Sequence, residues 1–319
     1  MTRKIIILVL LVILAFKPMG VFAQDKVVLK VGVLPIIESL PLAISGAQSA
    51  IANSNITVQV EVFSTWTALE AAYRTGIVDI AAMTAPKAIK MAGNNIPLKI
   101  LMSLHRNGNM LVTNFTQDSA EQFEGTIIGV SGNDTGQLIL LSEFIKKQGL
   151  KLGPQVRYIA IPQSKALELL SSGKIQGFLL SEPYGSMALA EGIAKQAFPG
   201  VEIMDNFVDV LLIANPLIIK SHQKEVKKLV EAVNQAGKMI TKDVVSSKGK
   251  QAAFSQLEIL GIDPEIVSMS LCSPISKIRF DDLTVSLDEL KKIEKLALSL
   301  GILNAGIDLS KITDTQFSQ

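Results

Sequence analysis

The sequence predicts an α/β protein of two lobes, each a mostly parallel sheet flanked by helices, with a helical C-terminal region. Three observations carry this prediction. Short apolar runs of strand length alternate with amphipathic segments of about ten residues, the pattern of βαβ units with right-handed crossovers. That pattern halts near residue 110 and restarts with Gly125-Thr126-Ile127-Ile128-Gly129-Val130. A further apolar run, Phe207 to Ala214, then leads into a stretch of almost purely helical spacing. The chain is therefore expected to leave one lobe, build another and return. Residues 24–112 with 212–319 make lobe I, residues 113–211 make lobe II, and two connections near 108–114 and 207–214 form a hinge.

Ahead of the fold, Arg3 and Lys4 precede an apolar run from Ile5 to Phe16, and Val21-Phe22-Ala23 offers a small-residue cleavage site. These features mark residues 1–23 as a secretory signal peptide. The apolar run is about a dozen residues, short of the roughly twenty that span a bilayer. Cleavage before Gln24 and a periplasmic location are expected.

In lobe I, Val27 to Leu34 reads as a buried strand, and Leu40 to Asn53 as a helix with Ser39 and Pro41 as start signals. Ile56 to Phe63 alternates strictly, as a half-buried strand near a sheet edge does. Ser64-Thr65-Trp66-Thr67 then opens a helix to about Thr75. Val78 to Met83 and Leu98 to Leu104 are strands, with a helix over Lys87 to Ala92 between them. In lobe II, the strand ending at Val130 meets a turn at Ser131-Gly132-Asn133-Asp134, and the helix Thr135 to Gln148 stops at Gly149. A strand over Val156 to Ile161, a helix over Gln163 to Ser172 and a strand over Ile175 to Leu180 follow. That last strand runs into Ser181-Glu182-Pro183-Tyr184, where Pro183 suits a first helical position and Glu182 the positive end of a helix dipole. Helices are expected over His222 to Lys242, Lys248 to Leu260, Pro264 to Leu271 and Ser286 to Leu300, broken by a short strand near Lys277 to Phe280. Gly261, Gly301 and Gly306 read as helix stops.

Composition narrows the function. Removing Arg3, Lys4 and Lys17 leaves 28 of the 31 basic residues against 29 acidic ones, so the mature chain carries a net charge of 28 − 29 = −1. With no basic run, nucleic acid and anionic membrane surfaces are poor partners. The single cysteine, Cys272, forms no internal disulfide and is expected as a small buried hydrophobe, with a free catalytic thiol as the alternative. His105 and His222 lie in no metal-ligand spacing, and no H-E-x-x-H, C-x-x-C or G-x-S-x-G pattern occurs. Glycines 129, 132 and 136 miss the dinucleotide and P-loop spacings, so neither a cofactor nor a catalytic centre is expected.

Ligands of open α/β sheets bind beyond the carboxyl ends of the strands. Those ends put Glu38, Ser39, Ser64, Thr65, Trp66, Thr84 and Asn107 of the first lobe on the cleft. Ser131, Asn133, Asp134, Thr135, Gln163, Glu182 and Tyr184 face them from the second, with Asp209 on the return connection. Hydroxyls and helix-start N–H groups suit an oxyanion without any arginine. Ser64, Thr84, Ser131 and Asp134 are also ordinary helix caps, and capping explains each one separately. Trp66, the only tryptophan, either packs in the core or walls the ligand. Should two or more of Glu38, Asp134, Glu182 and Asp209 line the cleft, an amine-bearing zwitterion or amino-substituted ring fits better than a bare dianion.

Several segments resemble one known family. They are Leu40-Pro41-Leu42-Ala43, Gly76-Ile77-Val78-Asp79-Ile80-Ala81, the Gly125 to Val130 strand, Gly173-Lys174-Ile175-Gln176-Gly177-Phe178 with Glu182-Pro183-Tyr184, and Ser299-Leu300-Gly301-Ile302-Leu303. In this order and spacing they are similar to the periplasmic solute-binding proteins of ABC importers, in the class that binds sulfonates, taurine, nitrate and thiamine precursors. The resemblance implies a type II periplasmic-binding-protein fold, a monomer that closes over a small-molecule solute and delivers it to an inner-membrane ABC permease. Many members carry Asp-Ala where this chain has Gln176-Gly177, which weakens any transfer of ligand identity. The alternatives are an enzyme of the same fold making a pyrimidine or menaquinone precursor, against which the export signal argues, and a receptor partner that senses the ligand without transporting it.

Overall fold

A computed structural model describes residues 26–317. The expected signal peptide lies outside the described residues. The first lobe runs β1 (Val27–Val33), α1 (Leu40–Ala43), α2 (Ser49–Ala52), β2 (Ile56–Val62), α3 (Trp66–Arg74), β3 (Ile80–Thr84), α4 (Ala85–Gly93) and β4 (Lys99–Ser103). The second runs β5 (Asn109–Thr113), β6 (Ile127–Val130), α5 (Gly136–Lys147), β7 (Arg157–Ala160), α6 (Ala166–Ser171), β8 (Gly177–Ser181), α7 (Tyr184–Ala190), β9 (Gln196–Pro199) and α8 (Gly200–Ile203). The chain returns through β10 (Val210–Ala214) and ends in α9 (Pro216–Ser221), α10 (Gln223–Ser247), α11 (Lys250–Ser255), α12 (Leu257–Leu260), α13 (Pro264–Cys272) and α14 (Leu287–Ser299).

Two five-stranded sheets result, in the orders β2-β1-β3-β10-β4 and β7-β6-β8-β5-β9. Each is parallel except for one strand in the fourth position: β10 runs against β3 and β4, and β5 against β8 and β9. Those two strands are the first that the chain forms after each crossing. The sequence pattern marks apolar runs but not direction, so the reversal was not legible. Boundaries 112/113 and 211/212 fall inside β5 and β10, and the segments that link the two sheets are residues 104–108 and 204–209.

Strands β3, β5, β8 and β10 are buried throughout, which is why they read as continuous apolar runs. Their residues alternate between layers: Leu111 and Leu179 join a core that extends through both lobes, while Met110, Val112, Phe178 and Leu180 pack on the outer face of the second sheet. Edge strand β2 alternates in exposure from Ile56 to Val60, but the pattern breaks at its end, where Glu61 is half-buried and Val62 exposed.

Several local expectations fail. The helix foreseen over Leu40 to Asn53 breaks into α1, a 3-10 turn at Ser45–Ala47 and α2. The strand near Lys277 to Phe280 is a single bridge between Arg106 and Arg279. Cys272, expected to be buried, is exposed at the end of α13. Gly261 and Gly301 do end helices with left-handed backbone, whereas Gly306 does not adopt that conformation.

The first crossing is fixed tightly. Asn107 and Gly108 both take left-handed backbone, and a Cβ on Gly108 would meet the Ile278 side chain at 2.7 Å. His105 is fully buried, accepts from the Val210 N–H at Nε2 (3.1 Å) and donates from Nδ1 to the Asn107 carbonyl (2.8 Å). Arg106, also buried, ion-pairs with Asp282 (3.0 Å) and Glu289 and donates to the carbonyls of Asn206 and Thr284. Both crossings and the start of α14 are thus held by consecutive side chains.

Candidate ligand cleft between the lobes

Where the strand tips of the two sheets meet, polar side chains form a buried floor. Glu38, in the 3-10 turn Ile37–Ser39, is completely buried, and neither carboxyl oxygen has a hydrogen-bond partner. Burial pushes its pKa well above the carboxylate range, and the charges of Asp209 and Glu182 add to this. Its own backbone N–H and the Ser181 hydroxyl approach and offset the shift in part, without hydrogen-bond geometry. The neighbouring Ser39 hydroxyl is likewise buried and unpartnered. Tyr184, at the start of α7, feels Glu38: burial first and then this carboxyl raise its pKa.

Glu182 directly follows β8 and is also completely buried, but it is satisfied. Its carboxyl accepts from the Ser186 N–H at 3.0 Å and the Ser186 hydroxyl at 2.7 Å, capping α7. Pro183 itself occupies the N-cap position, one residue earlier than expected. Burial still lifts the Glu182 pKa to about 7. Its carbonyl accepts from Ile37 of the first lobe (3.0 Å), so the two lobes share a backbone bond beside Glu38.

Asp209 lies at the end of the second crossing, and its backbone carbonyl accepts from Ala85 of α4 (2.6 Å). Its Oδ2 accepts from Gln137 Nε2 (2.8 Å) and Asn109 Nδ2 (3.3 Å), both buried in the second lobe. Gln137 Nε2 also reaches Asn109 Oδ1 (2.9 Å) and Ser181 Oγ (3.0 Å). Burial raises the Asp209 pKa to about 7 against the pull of Asn109 and the Gly136 backbone.

A cleft of about 430 Å³ is lined by Thr65, Trp66, Lys87 and Lys90 on one side and by residues 131–134 and 160–162 on the other; the buried acids do not line it, and Ser131 and Gln137 link it to Asp209. Its walls are bonded to each other. Trp66 Nε1 donates to Ser131 Oγ (3.1 Å), which donates to Gln137 Oε1 (3.0 Å). Lys87 pairs with Asp134 and Glu70, both at 2.9 Å, and Lys90 pairs with Asp134 at 3.4 Å. The Thr84 hydroxyl donates to the Asp134 carbonyl (3.3 Å). Burial opposes the charge on Lys87, yet Asp134 and Glu70 together hold its pKa above the ordinary value.

The fifteen residues proposed from sequence therefore divide. Glu38, Ser39, Glu182, Tyr184 and Asp209 form the floor, and Trp66, Thr84, Ser131 and Asp134 tie the mouth. Thr65 caps α3 by accepting from the Ala68 N–H (3.2 Å), so the cap expected at Ser64 sits one residue later; Ser64 is exposed, as is Asn133. Thr135 is buried and donates to the Gly132 carbonyl (3.0 Å). Asn107 and Gln163 are buried, with their side-chain oxygens unpartnered. Sequence reasoning missed Gln137, Asn109, Ser181 and Lys87. Gln137 was the most accessible of these, being a polar residue at the buried start of an amphipathic helix. Among the described residues, no group of histidine, cysteine and acidic side chains could hold a metal ion.

Two lobes of shared topology, joined by two crossings and meeting at buried polar strand tips, define a two-lobed binding-protein fold. The chain belongs to the NMT1-like family, whose sequence pattern matches residues 23–255. It resembles a solved ligand-binding component of an ABC-type import system from Staphylococcus aureus, with zinc bound. That likeness has a TM-score of 0.78 at 19% identity, over 92% of this chain and 98% of that one. The periplasmic nitrate-binding protein NrtA from Synechocystis gives 0.78 at 15% identity, over 92% and 87%. By sequence, the chain is 24% identical over 235 residues to the bicarbonate transport ATP-binding protein CmpC of Synechocystis, 65% of this chain and 35% of that protein. The chain thus spans about a third of the length of the curated relatives it matches.

Proposed function

We propose that this protein is the extracytoplasmic solute-binding component of an ABC importer. It captures a small polar or zwitterionic molecule between its lobes and presents the closed form to a permease in the inner membrane. In this reading it is a periplasmic monomer and not an enzyme. The observation that carries the proposal is Glu38: a completely buried carboxyl at the meeting of the lobes, with both oxygens unpartnered and an unpartnered Ser39 hydroxyl beside it. Leaving such groups without partners costs about 1–3 kcal/mol each, which a ligand donor would recover. Three buried acids at one interface favour a ligand with N–H donors, an amine or amino-substituted ring, over a bare dianion. Fold likeness to import-system binding components supports the transport role.

The enzyme alternative finds little to work with. Both nitrogens of His105 are engaged by backbone, and burial lowers its pKa to about 3, so it stays neutral through the physiological range. The proposal is tested by a thermal-shift and titration panel of amines, amino acids, pyrimidines, sulfonates and inorganic oxyanions, with scattering on each hit. At least one amine-bearing solute should bind and compact the protein, and Glu38→Gln should lose that response. Compaction by no solute, or an amine response untouched in Glu38→Gln, would remove this reading.

A further inference from the structure

The start of α5 is where the second lobe would most naturally hold an oxyanion. Its twelve-residue helix points a positive dipole end and free N–H groups toward the lobe interface. Yet its N-cap residue Thr135 makes no cap bond, because the hydroxyl donates to Gly132 instead. The place is taken from outside the lobe. Asp209 Oδ1 lies against Gly136, where any Cβ would collide with it, while Oδ2 is gripped by Gln137 and Asn109. The lack of a side chain at position 136 is what admits the carboxyl.

We propose that Asp209 is a specificity-determining residue: a carboxylate belonging to the protein occupies the anion seat at the start of α5 and excludes sulfonate-like and nitrate-like ligands from it. The inference rests on the solute-binding reading above and deepens it. Above pH 7, where Asp209 is ionised, a second anion placed there would face its charge at contact distance in a buried setting, where like charges repel strongly. An uncharged or cationic end of a ligand meets no such penalty. The geometry also ties this exclusion to closure, since Asp209 is carried on the crossing and Gln137, which holds it, also contacts Ser131 of the mouth.

The test is titration of the intact protein at pH 8 with nitrate, sulfate and methanesulfonate, read by the fluorescence of Trp66 and by thermal midpoint, against chloride at equal ionic strength. Wild type should respond to none of the three beyond chloride. Asp209→Asn, which keeps the shape but removes the charge, should gain a saturable response to sulfate or methanesulfonate, with half-saturation at least tenfold below the highest concentration at which wild type stays silent. Asp209→Ser serves the same purpose should the asparagine variant not fold. Saturable binding of any of the three by wild type overturns the proposal, as does a folded variant as indifferent to oxyanions as wild type. Should neither variant fold, the wild-type titration decides alone. Wild type that compacts on an oxyanion would overturn the exclusion yet keep the importer reading, so the two failures are distinguishable.

Discussion

The mouth and the floor of the cleft lie a few side chains apart and are built in opposite ways. At the mouth nearly every polar group has a protein partner: Lys87 has two carboxylates, Asp134 two lysines, and Trp66 a serine that is itself bonded onward. On the floor, Glu38 has none, Ser39 has none, and Asp209 uses only one of its two oxygens in side-chain bonds. The mouth can therefore hold the lobes together by itself, whereas the floor stays incomplete until something with donors arrives. A binding protein needs this division, because the closed form must be reachable without being fully satisfied.

The most severe way to break the comparison is to neutralise the floor. Glu38→Gln should weaken an amine-bearing ligand on the order of 10- to 100-fold, the loss of a charge-assisted hydrogen bond, and leave the fold intact. Titration calorimetry reads the affinity, and undiminished binding would reduce Glu38 to a structural residue.

Next in size is the pH dependence of the ligand-free protein. Glu182 and Asp209 titrate near 7 when folded and near 4 when unfolded, so the folded state holds more protons between those values. Their contribution is fully present below the unfolded pKa and is lost as pH rises through about 7, on the order of 3 kcal/mol per group. The thermal midpoint should fall between pH 5 and pH 8, and Asp209→Asn or Glu182→Gln should flatten that slope. A midpoint that rises over the same range would contradict the placement of these acids.

Asp134→Ala tests the mouth. Lys87 keeps Glu70, so the stability loss should stay at about 1–2 kcal/mol. The larger sign should be a more open ligand-free form in scattering and faster solute release. An unchanged scattering profile would show that the mouth pairs do not hold the lobes.

Smallest is Trp66→Phe, which keeps the ring and removes the N–H that Ser131 accepts. A cost of about 1 kcal/mol in thermal stability is expected, with little change in affinity. A loss of affinity comparable to that of Glu38→Gln would move Trp66 from the mouth to the ligand.

Much of the fold could be read from the chain, because each lobe repeats one local grammar. The apolar runs of β1, β3, β6 and β8, the alternation of β2 and the helix stop at Gly149 were all set by residues within one or two turns of each other. Short, irregular elements escaped for the same reason. The broken helix after Ser39 and strand β9 have no periodic signal, and the reversal of β5 and β10 depends on which neighbours the crossings deliver. The site residues proposed from sequence were drawn from strand ends and loops, but which of them the fold would bring together, and in what roles, was not visible. Whether Asp134 meets a ligand or Lys87 depends on a residue 47 positions away.

The sequence by itself determined two lobes, their order along the chain and the polar strand ends from which any site had to come, since periodicity and turn chemistry are local properties. Only the tertiary structure decided that Asp209 would seat itself at the start of α5, that Lys87 would close the mouth, and that Glu38 would be left without a partner. Those outcomes arise from contacts between segments far apart in sequence, and whether a buried charge is paired depends on what the fold brings to it.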